Sequence, residues 1–491
     1  MTTRTRTVVA LVAVAILLLV IAHFFRRFTR DVAVVYSDPV EHFKYGSTGG
    51  EIQTGIPYSV WMTLPRIFGL PGGNYQSFGF LYEDGRDLPI GVSKRNYQGI
   101  DRVSFNCAIC HYGSVRDAAA SPPRRIAAMP SNTVDLRAFY NFLFEAAKND
   151  KFSAGLVLSE GQKMGIKEDF INRQILRFYA VIAMRTFLLD FSYRLKFIMD
   201  EPEFGPGRID TFSPAKALMS FQTSIEKMPK EERIGTTDLP SVWYQGKREG
   251  MQLHWDGNNT DVRERDRSAA FGTGAYPATL DRASMARVED WLINTAAPLP
   301  FPYPIDATKS VRGKVIYDQL CEHCHGPDGK NFTPGQKELG KVTPIDEIKT
   351  DRHRLDSYTR ELAVNQNLLY AETKNPEERF SHFRKTYGYA NMPLDGVWLR
   401  APYLHNGSVP TLRDLLEPGA NRPPKFYRGD DVFDPVRVGF ESNVPARNGQ
   451  NYFPYDTKVE GNFNTGHEGK YYGTELPPAD KDALVEYLKT F

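Results

Sequence analysis

Cys107-Ala-Ile-Cys110-His111 and Cys321-Glu-His-Cys324-His325 together hold all four cysteines of the 491-residue chain. In each stretch two thiols stand three positions apart and a histidine follows directly. That spacing reads as c-type haem attachment. The thiols add to the two vinyl groups of one porphyrin, and the adjacent imidazole ligates the iron. Three other readings compete. A CxxC redox disulfide needs a strand-to-helix setting that neither stretch shows. A zinc site built from four thiolates leaves both histidines without a reason. A structural disulfide across CxxC closes only a tiny loop and restrains little. With no cysteine left over, two covalently attached haem c groups are expected, one held by Cys107, Cys110 and His111, the other by Cys321, Cys324 and His325. Attachment of this kind takes place outside the cytoplasm, so the body of the chain is expected to be exported.

Around the second motif a small domain is legible. Ser310 to Leu320 (SVRGKVIYDQL) runs into Cys321 with Val311, Val315, Ile316 and Leu320 at helical spacing. The C-terminal PPADKDALVEYLKTF opens with Pro and Asp and places Leu484, Tyr487, Leu488 and Phe491 on one face, which predicts a closing helix. The pair resembles the first and last helices of small cytochromes c, which cross at a glycine and an aromatic; Gly313 and Tyr317 stand where that crossing needs them. Ser284 to Asn294 predicts another closing helix, and the four prolines within 296–304 predict an extended tether. The expected organisation is therefore a cytoplasmic tip and transmembrane anchor (1–30), an enlarged N-terminal haem domain (31–299) and a C-terminal cytochrome c-like domain (300–491). The fold class is mainly α, with two tandem cytochrome c-like haem domains. Within the larger domain, 160–200 is expected to form one or two core helices and 31–102 an ordered loop.

Val8 to Phe25 (VVALVAVAILLLVIAHFF) is apolar but for His23, within the ~17–25 residues that span a bilayer. A cleaved signal has a shorter apolar core and a small-residue cleavage site, whereas this run ends in HFFRRF. An uncleaved single-pass anchor is expected, in the inner (cytoplasmic) membrane with the haem domains on the periplasmic side. Charge does not set that direction, because Arg26, Arg27 and Arg30 outnumber Arg4 and Arg6; the haem motifs do. Composition excludes one class of partner: 61 basic against 59 acidic residues make a net charge of +2, too balanced to collect nucleic acid.

Short blocks repeat after each motif. Leu239-Pro-Ser-Val-Trp243, Leu253-His-Trp-Asp-Gly257 and Asp261-Val-Arg-Glu264 are answered in order by Met392-Pro-Leu-Asp-Gly-Val-Trp398, Leu404-His-Asn-Gly407 and Thr411-Leu-Arg-Asp414. These blocks, with Ser268-Ala-Ala-Phe-Gly272, Ala401-Pro-Tyr-Leu-His-Asn-Gly407 and Asn464-Thr-Gly-His467, resemble the bacterial di-haem cytochrome c peroxidase superfamily and are closest to its rubber-oxygenase-like branch. The resemblance implies an oxidoreductase that uses peroxide or dioxygen at the first haem and moves electrons through the second. It implies four residues for the reaction. Trp243 relays electrons between the haems, or is a plain core tryptophan. Phe271 shields an open distal side of the first haem, or is a core phenylalanine. His254 lines that pocket, or ligates the first iron at rest. Glu264 stands near the place of the acid that cleaves peroxide, although RERDRSAAF departs from the peroxidase pattern there. The iron ligands are His111 and His325, with His467 as the sixth ligand of the second haem ahead of Met392 and His405. Partners are a periplasmic or membrane redox protein and peroxide, dioxygen or an oxidisable organic substrate. The rival reading is a non-catalytic electron carrier of a respiratory chain.

Overall fold

The structure is a computed structural model that describes residues 3–218, 228–330, 332, 337–369 and 379–491. Thr3–Phe28 is one helix with its apolar side chains facing outward. Within it, Arg4–Phe28 is long and apolar enough to cross a membrane. Among the described residues helix takes 44% of the chain and the sheets are small, so the mainly α class stands.

The segment 31–102 is not loop. It contributes four antiparallel strands, β1 (Asp31–Ala33), β2 (Ile56–Pro57), β3 (Val92–Tyr97) and β4 (Ile100–Phe105), in the order β1-β3-β4-β2. β3 and β4 form a hairpin in which Tyr97 faces Ile100. Gln98 and Gly99 take φ of 53° and 77° between them, the left-handed pair that matches strand twist in a two-residue turn. Behind the sheet, Trp61, Tyr75, Phe80, Phe105 and Phe139 pack ring on ring. Phe139 comes from Leu136–Lys148, whose first turn is capped by Asp135 accepting from the Ala138 amide. This block presents the first motif. β4 ends at Phe105, and the Asn106 side chain accepts from Ala108 N while donating to the carbonyls of Lys44 and Gly46. A strand, not a helix, therefore leads into Cys107, unlike the cytochrome c-like entry expected for this domain.

The expected core helices of 160–200 also take a different form. Ala154–Lys163, Phe170–Ile175, a π turn at Leu176–Ala180 and Val181–Arg194 follow one another. Leu176, Val181, Met184 and Leu188 are buried, but Phe178, Tyr179, Ile182 and Tyr193 face solvent. The mixed apolar spacing comes from one helix with two apolar sides, only one of them covered.

In the second half the expected helix crossing is present. Ala307–Leu320 packs on Pro478–Leu488. A Cβ on Gly313 would fall 2.0 Å from the Ala483 carbonyl oxygen, so only glycine permits this approach. Tyr317 packs with its ring centre 5.4 Å from Tyr487 and edge-on to Phe491 at 5.0 Å, and its hydroxyl donates to Gly326 O at 2.7 Å.

One hydrophobic core runs across the 299/300 boundary, joining Phe43, Trp243 and Trp291 to Tyr317, Trp398 and Leu484. The proline-rich tether is extended but docked: Trp398 Nε1 donates to Leu299 O at 2.9 Å, and Phe301 lies edge-on to Trp398 at 5.6 Å. Three buried Arg–Asp pairs also cross between the halves, Arg248–Asp395, Arg354–Asp256 and Arg428–Asp238. Removing one partner of a buried pair costs about 3–5 kcal/mol because the other charge is left unpaired, so these contacts fix how the halves are registered.

Candidate haem centres

Each motif histidine is held the same way. His111 Nδ1 donates to Pro240 O at 2.8 Å, and His325 Nδ1 donates to Met392 O at 2.7 Å. A carbonyl can only accept, so the proton sits on Nδ1 and the Nε2 lone pair is left for a metal. Burial pushes the His111 imidazole down to about 4, with the charges of Arg265 and His254 adding to the effect. Burial likewise lowers His325. Both rings are neutral at pH 7, the form that ligates.

The four cysteines are free. Among the described residues no three His, Cys, Asp or Glu converge, so the two thiol pairs do not assemble a common metal site. Burial pushes the thiols of Cys107, Cys110 and Cys321 up to about 12.

His467 faces His325 with ring centres 6.2 Å apart. Two imidazoles sharing one metal, each nitrogen about 2 Å from it, have centres about 6 Å apart, so one iron fits between these rings. His467 is placed by its own turn. Its amide donates to Ile348 O at 2.9 Å, and a Cβ on Gly466 would meet Thr350 N at 2.3 Å, so glycine lets the turn lie on residues 348–350. Arg422 grips the turn from within, donating to the carbonyls of Asn464, Gly466 and His467. Burial pushes His467 down to about 3, with the nearby His325 and Arg422 charges in the same direction.

The other two candidate ligands are placed elsewhere. Met392 gives its carbonyl to His325, which puts that residue behind the motif imidazole rather than across from it. His405 stacks on Tyr389 at 4.1 Å, with Nε2 3.0 Å from the Tyr389 hydroxyl. That hydroxyl donates its one proton to Asp351 O, so His405 Nε2 is the donor and has no lone pair to offer.

At the first motif, Cys107 feels the charge of Asp266 and His111 that of Arg265. Arg265 is ion-paired with Asp266 at 3.6 Å, and its paired nitrogen, one Asp266 oxygen and the Gln245 amide are buried without a hydrogen bond inside 3.5 Å. Buried donors without partners need an acceptor; the acidic groups of a porphyrin fit that need.

His254 lies near His111, its Nδ1 bonded to Asn258 Oδ1, which again leaves Nε2 as the lone-pair nitrogen. Aromatic rings connect it to Phe271: His254 to Phe383 at 6.5 Å, Phe383 to Phe380 at 5.5 Å, Phe380 to Phe271 at 6.0 Å. Glu264 supports that stretch. Its carboxylate accepts from the Ser381 and His382 amides at 2.8 and 3.0 Å and from His382 Nδ1 at 2.8 Å. Glu264 thereby holds residues 381–382 in place between Phe380 and Phe383. Trp243 is fully buried between the halves, and Arg400 stands over its ring at 5.7 Å.

The repeated blocks correspond in space, with one shift. Leu253 bridges Asn259 and Tyr403 bridges Val409, each closing a loop of equal length. His254 and Leu404 take φ of 64° and 67°, and Gly257 and Gly407 take 65° and 63°. The partner of His254 is thus Leu404, and His405 corresponds to Trp255, one position off the pairing that the letters suggest.

The RoxA-like, cytochrome c-like family matches residues 388–428. That stretch holds the Met392 carbonyl, the 403–409 loop and Arg422. The match supports the rubber-oxygenase-like cytochromes and, with them, haem c. Two proteins of Sinorhizobium fredii are also similar. Uncharacterized protein y4iM is 31% identical over 284 residues, covering 52% of this chain and 64% of the relative. Uncharacterized protein y4iJ is 42% identical over 237 residues, covering 38% and 39%. The chain thus spans less than two thirds of the length of either relative.

Sequence alone did not point to Arg422, Tyr389 or Asp395, which act through carbonyls and hydroxyls and carry no motif. The repeated Leu-Pro and Met-Pro steps were the available signal for the Pro240 and Met392 carbonyls.

Proposed function

We propose that this chain is a membrane-anchored di-haem c-type cytochrome of the periplasm, related to the di-haem peroxidases, with one haem on each motif. The observation that carries the reading is the twin arrangement of His111 on Pro240 O and His325 on Met392 O, each offering Nε2 beside a pair of thiols. Haem supplies a redox-active iron. The protein supplies ligands, access and a route between the centres. His325 and His467 would hold the second haem iron between them, which suits electron transfer and storage. Trp243 links the centres. At the first site His254 and the Phe271–Phe380–Phe383 rings control the open side, where peroxide or dioxygen meets an oxidisable organic substrate. Thr3–Phe28 anchors the chain in the inner membrane, and a periplasmic or membrane redox protein exchanges electrons with it.

A second reading has its own support. His254 carries its proton on Nδ1, as the motif histidines do, and stands close enough to His111 for protonation of one ring to disfavour protonation of the other. Closed by His254, the first site makes a non-catalytic electron carrier of a respiratory chain. Acid–acetone extraction should leave two haems on the protein, and Cys321→Ala with Cys324→Ala should leave one; two haems on that variant would sink the two-motif reading. The spectrum of the resting protein separates enzyme from carrier. A high-spin component marks an open first site, and a wholly low-spin spectrum marks the carrier.

A further inference from the structure

Residues 170–194 (FINRQILRFYAVIAMRTFLLDFSYR) form a continuous helical run through the π turn at Leu176–Ala180. Val181, Met184 and Leu188 recur at helical spacing and face the core. On the other side Ile182, Leu189 and Tyr193 recur at i, i+7 and i+11, exposed by 58%, 42% and 73%. Phe170, Phe178 and Tyr179 extend the exposed apolar surface toward the start of the run. Single exposed apolar residues are ordinary, but a contiguous set on one helix marks a contact surface.

Two features say what covers it. The first is position. Asp169 caps the run by accepting from Asn172 N, and its carboxylate pairs with Arg27 at 2.8 Å. Arg27 also donates to the Asn172 side chain. Because Arg27 belongs to the last turn of Thr3–Phe28, the run begins where the apolar N-terminal helix ends. The second is charge. From Lys167 to Lys196 the chain carries Arg173, Arg177, Arg185, Arg194 and the two lysines against Glu168, Asp169 and Asp190, a basic excess of three (6 − 3 = 3). Aromatic and aliphatic side chains on one side and arginines around them are the chemistry of a helix lying in the headgroup region of an anionic bilayer.

We propose that the Ile182–Leu189–Tyr193 stripe, with Phe178 and Tyr179, rests on the lipid bilayer as a second membrane contact beside the anchor. The proposal rests on the reading of Thr3–Phe28 as that anchor. It makes the body lie down on the membrane, where a mobile stalk would let it tumble.

The test uses the full haem-loaded chain in vesicles of phosphatidylcholine and phosphatidylglycerol, doped with a phospholipid that carries a photoactivatable diazirine in its acyl chain. After irradiation, lipid adducts are mapped on tryptic peptides. Adducts are expected within 178–194 as well as within 7–26. Combining Ile182→Glu, Leu189→Glu and Tyr193→Glu should abolish those in 178–194 and leave those in 7–26. Adducts in 7–26 alone on the unaltered chain overturn the proposal while the anchor stands, and turn the stripe into a protein-docking surface. Adducts in 178–194 alone support the surface contact and remove the anchor. Adducts in neither overturn both.

Discussion

The indole Nε1 of Trp243 donates to the main-chain carbonyl of Asp395 at 3.3 Å. Trp243 stands three positions after Pro240 (243 − 240 = 3), whose carbonyl receives His111. Asp395 stands three positions after Met392 (395 − 392 = 3), whose carbonyl receives His325. One hydrogen bond therefore joins the two backbone segments that hold the motif histidines. Asp395 is itself fixed, accepting from Arg248 at 2.6 and 2.8 Å and from Arg400 at 2.6 Å. Trp243→Phe keeps an aromatic ring but removes this bond, at a stability cost of about 1 kcal/mol. Haem content should be unchanged, and stopped-flow reduction should show slower electron exchange between the centres. An unaltered rate would make Trp243 a core residue and nothing more.

His467→Ala should convert the second haem from low-spin to high-spin and shift its potential. Met392→Leu should leave the spectrum alone, because the Met392 carbonyl that holds His325 is retained and a volume-conserving swap costs under ~1.5 kcal/mol. His405→Ala should also leave the iron low-spin. Loss of a red-end charge-transfer band in Met392→Leu, with no change in His467→Ala, would reverse the assignment.

Gly313→Ala should destabilise the crossing of Ala307–Leu320 with Pro478–Leu488. The added methyl falls 2.0 Å from Ala483 O and 2.8 Å from Tyr487 Cβ, neither of which can retreat without parting the helices. Overpacking of this kind costs about 1–3 kcal/mol, readable as a lower Tm by circular dichroism. An unchanged Tm would mean that the helices cross elsewhere.

His405 gives a pH dependence with a definite sign. Burial, reinforced by the Arg354 and Arg208 charges, outweighs the Asp351 carboxylate and pushes it down to about 3, against an ordinary 6.5. The unfolded chain takes up a proton below 6.5 and the folded chain does not. Stability from this group is complete above 6.5 and is lost as pH falls toward 3, by about 1.4 kcal/mol per pH unit. His405→Asn removes the titrating group. Urea unfolding at pH 7 and pH 5 should then show a loss smaller by about 2 kcal/mol than in the unaltered chain. Equal losses would place the acid sensitivity elsewhere.

The parts legible from sequence are those in which a residue type answers a local need. Gly313 and Tyr317 announce the helix crossing because close approach and a large buried ring each demand a particular side chain. The hairpin of β3 and β4 hides because Ser93 and Arg95 sit at buried positions, with Ser93 bonded to Glu51 and Arg95 paired with Asp31 and Asp281. Polar residues satisfied by distant partners erase the alternation that would declare a strand. His254 and His405 look like one repeated letter, yet the register is set by the left-handed backbone at His254 and Leu404, which leaves no mark in the letters. In 170–194, apolar content shows that two sides want cover, but not what covers each.

The protonated state of the thiols carries a consequence for how the molecule is made. In the closed chain Cys107, Cys110 and Cys321 are pushed up to about 12 by burial, so at neutral pH these partly exposed thiols stay protonated and are poor nucleophiles. On the proposed reading, haem therefore joins a polypeptide that is still open. The carbonyls of Pro240 and Met392 come from segments 129 and 67 residues beyond the histidines they receive. On that reading they act as latches, closing on the imidazoles once each pigment is seated.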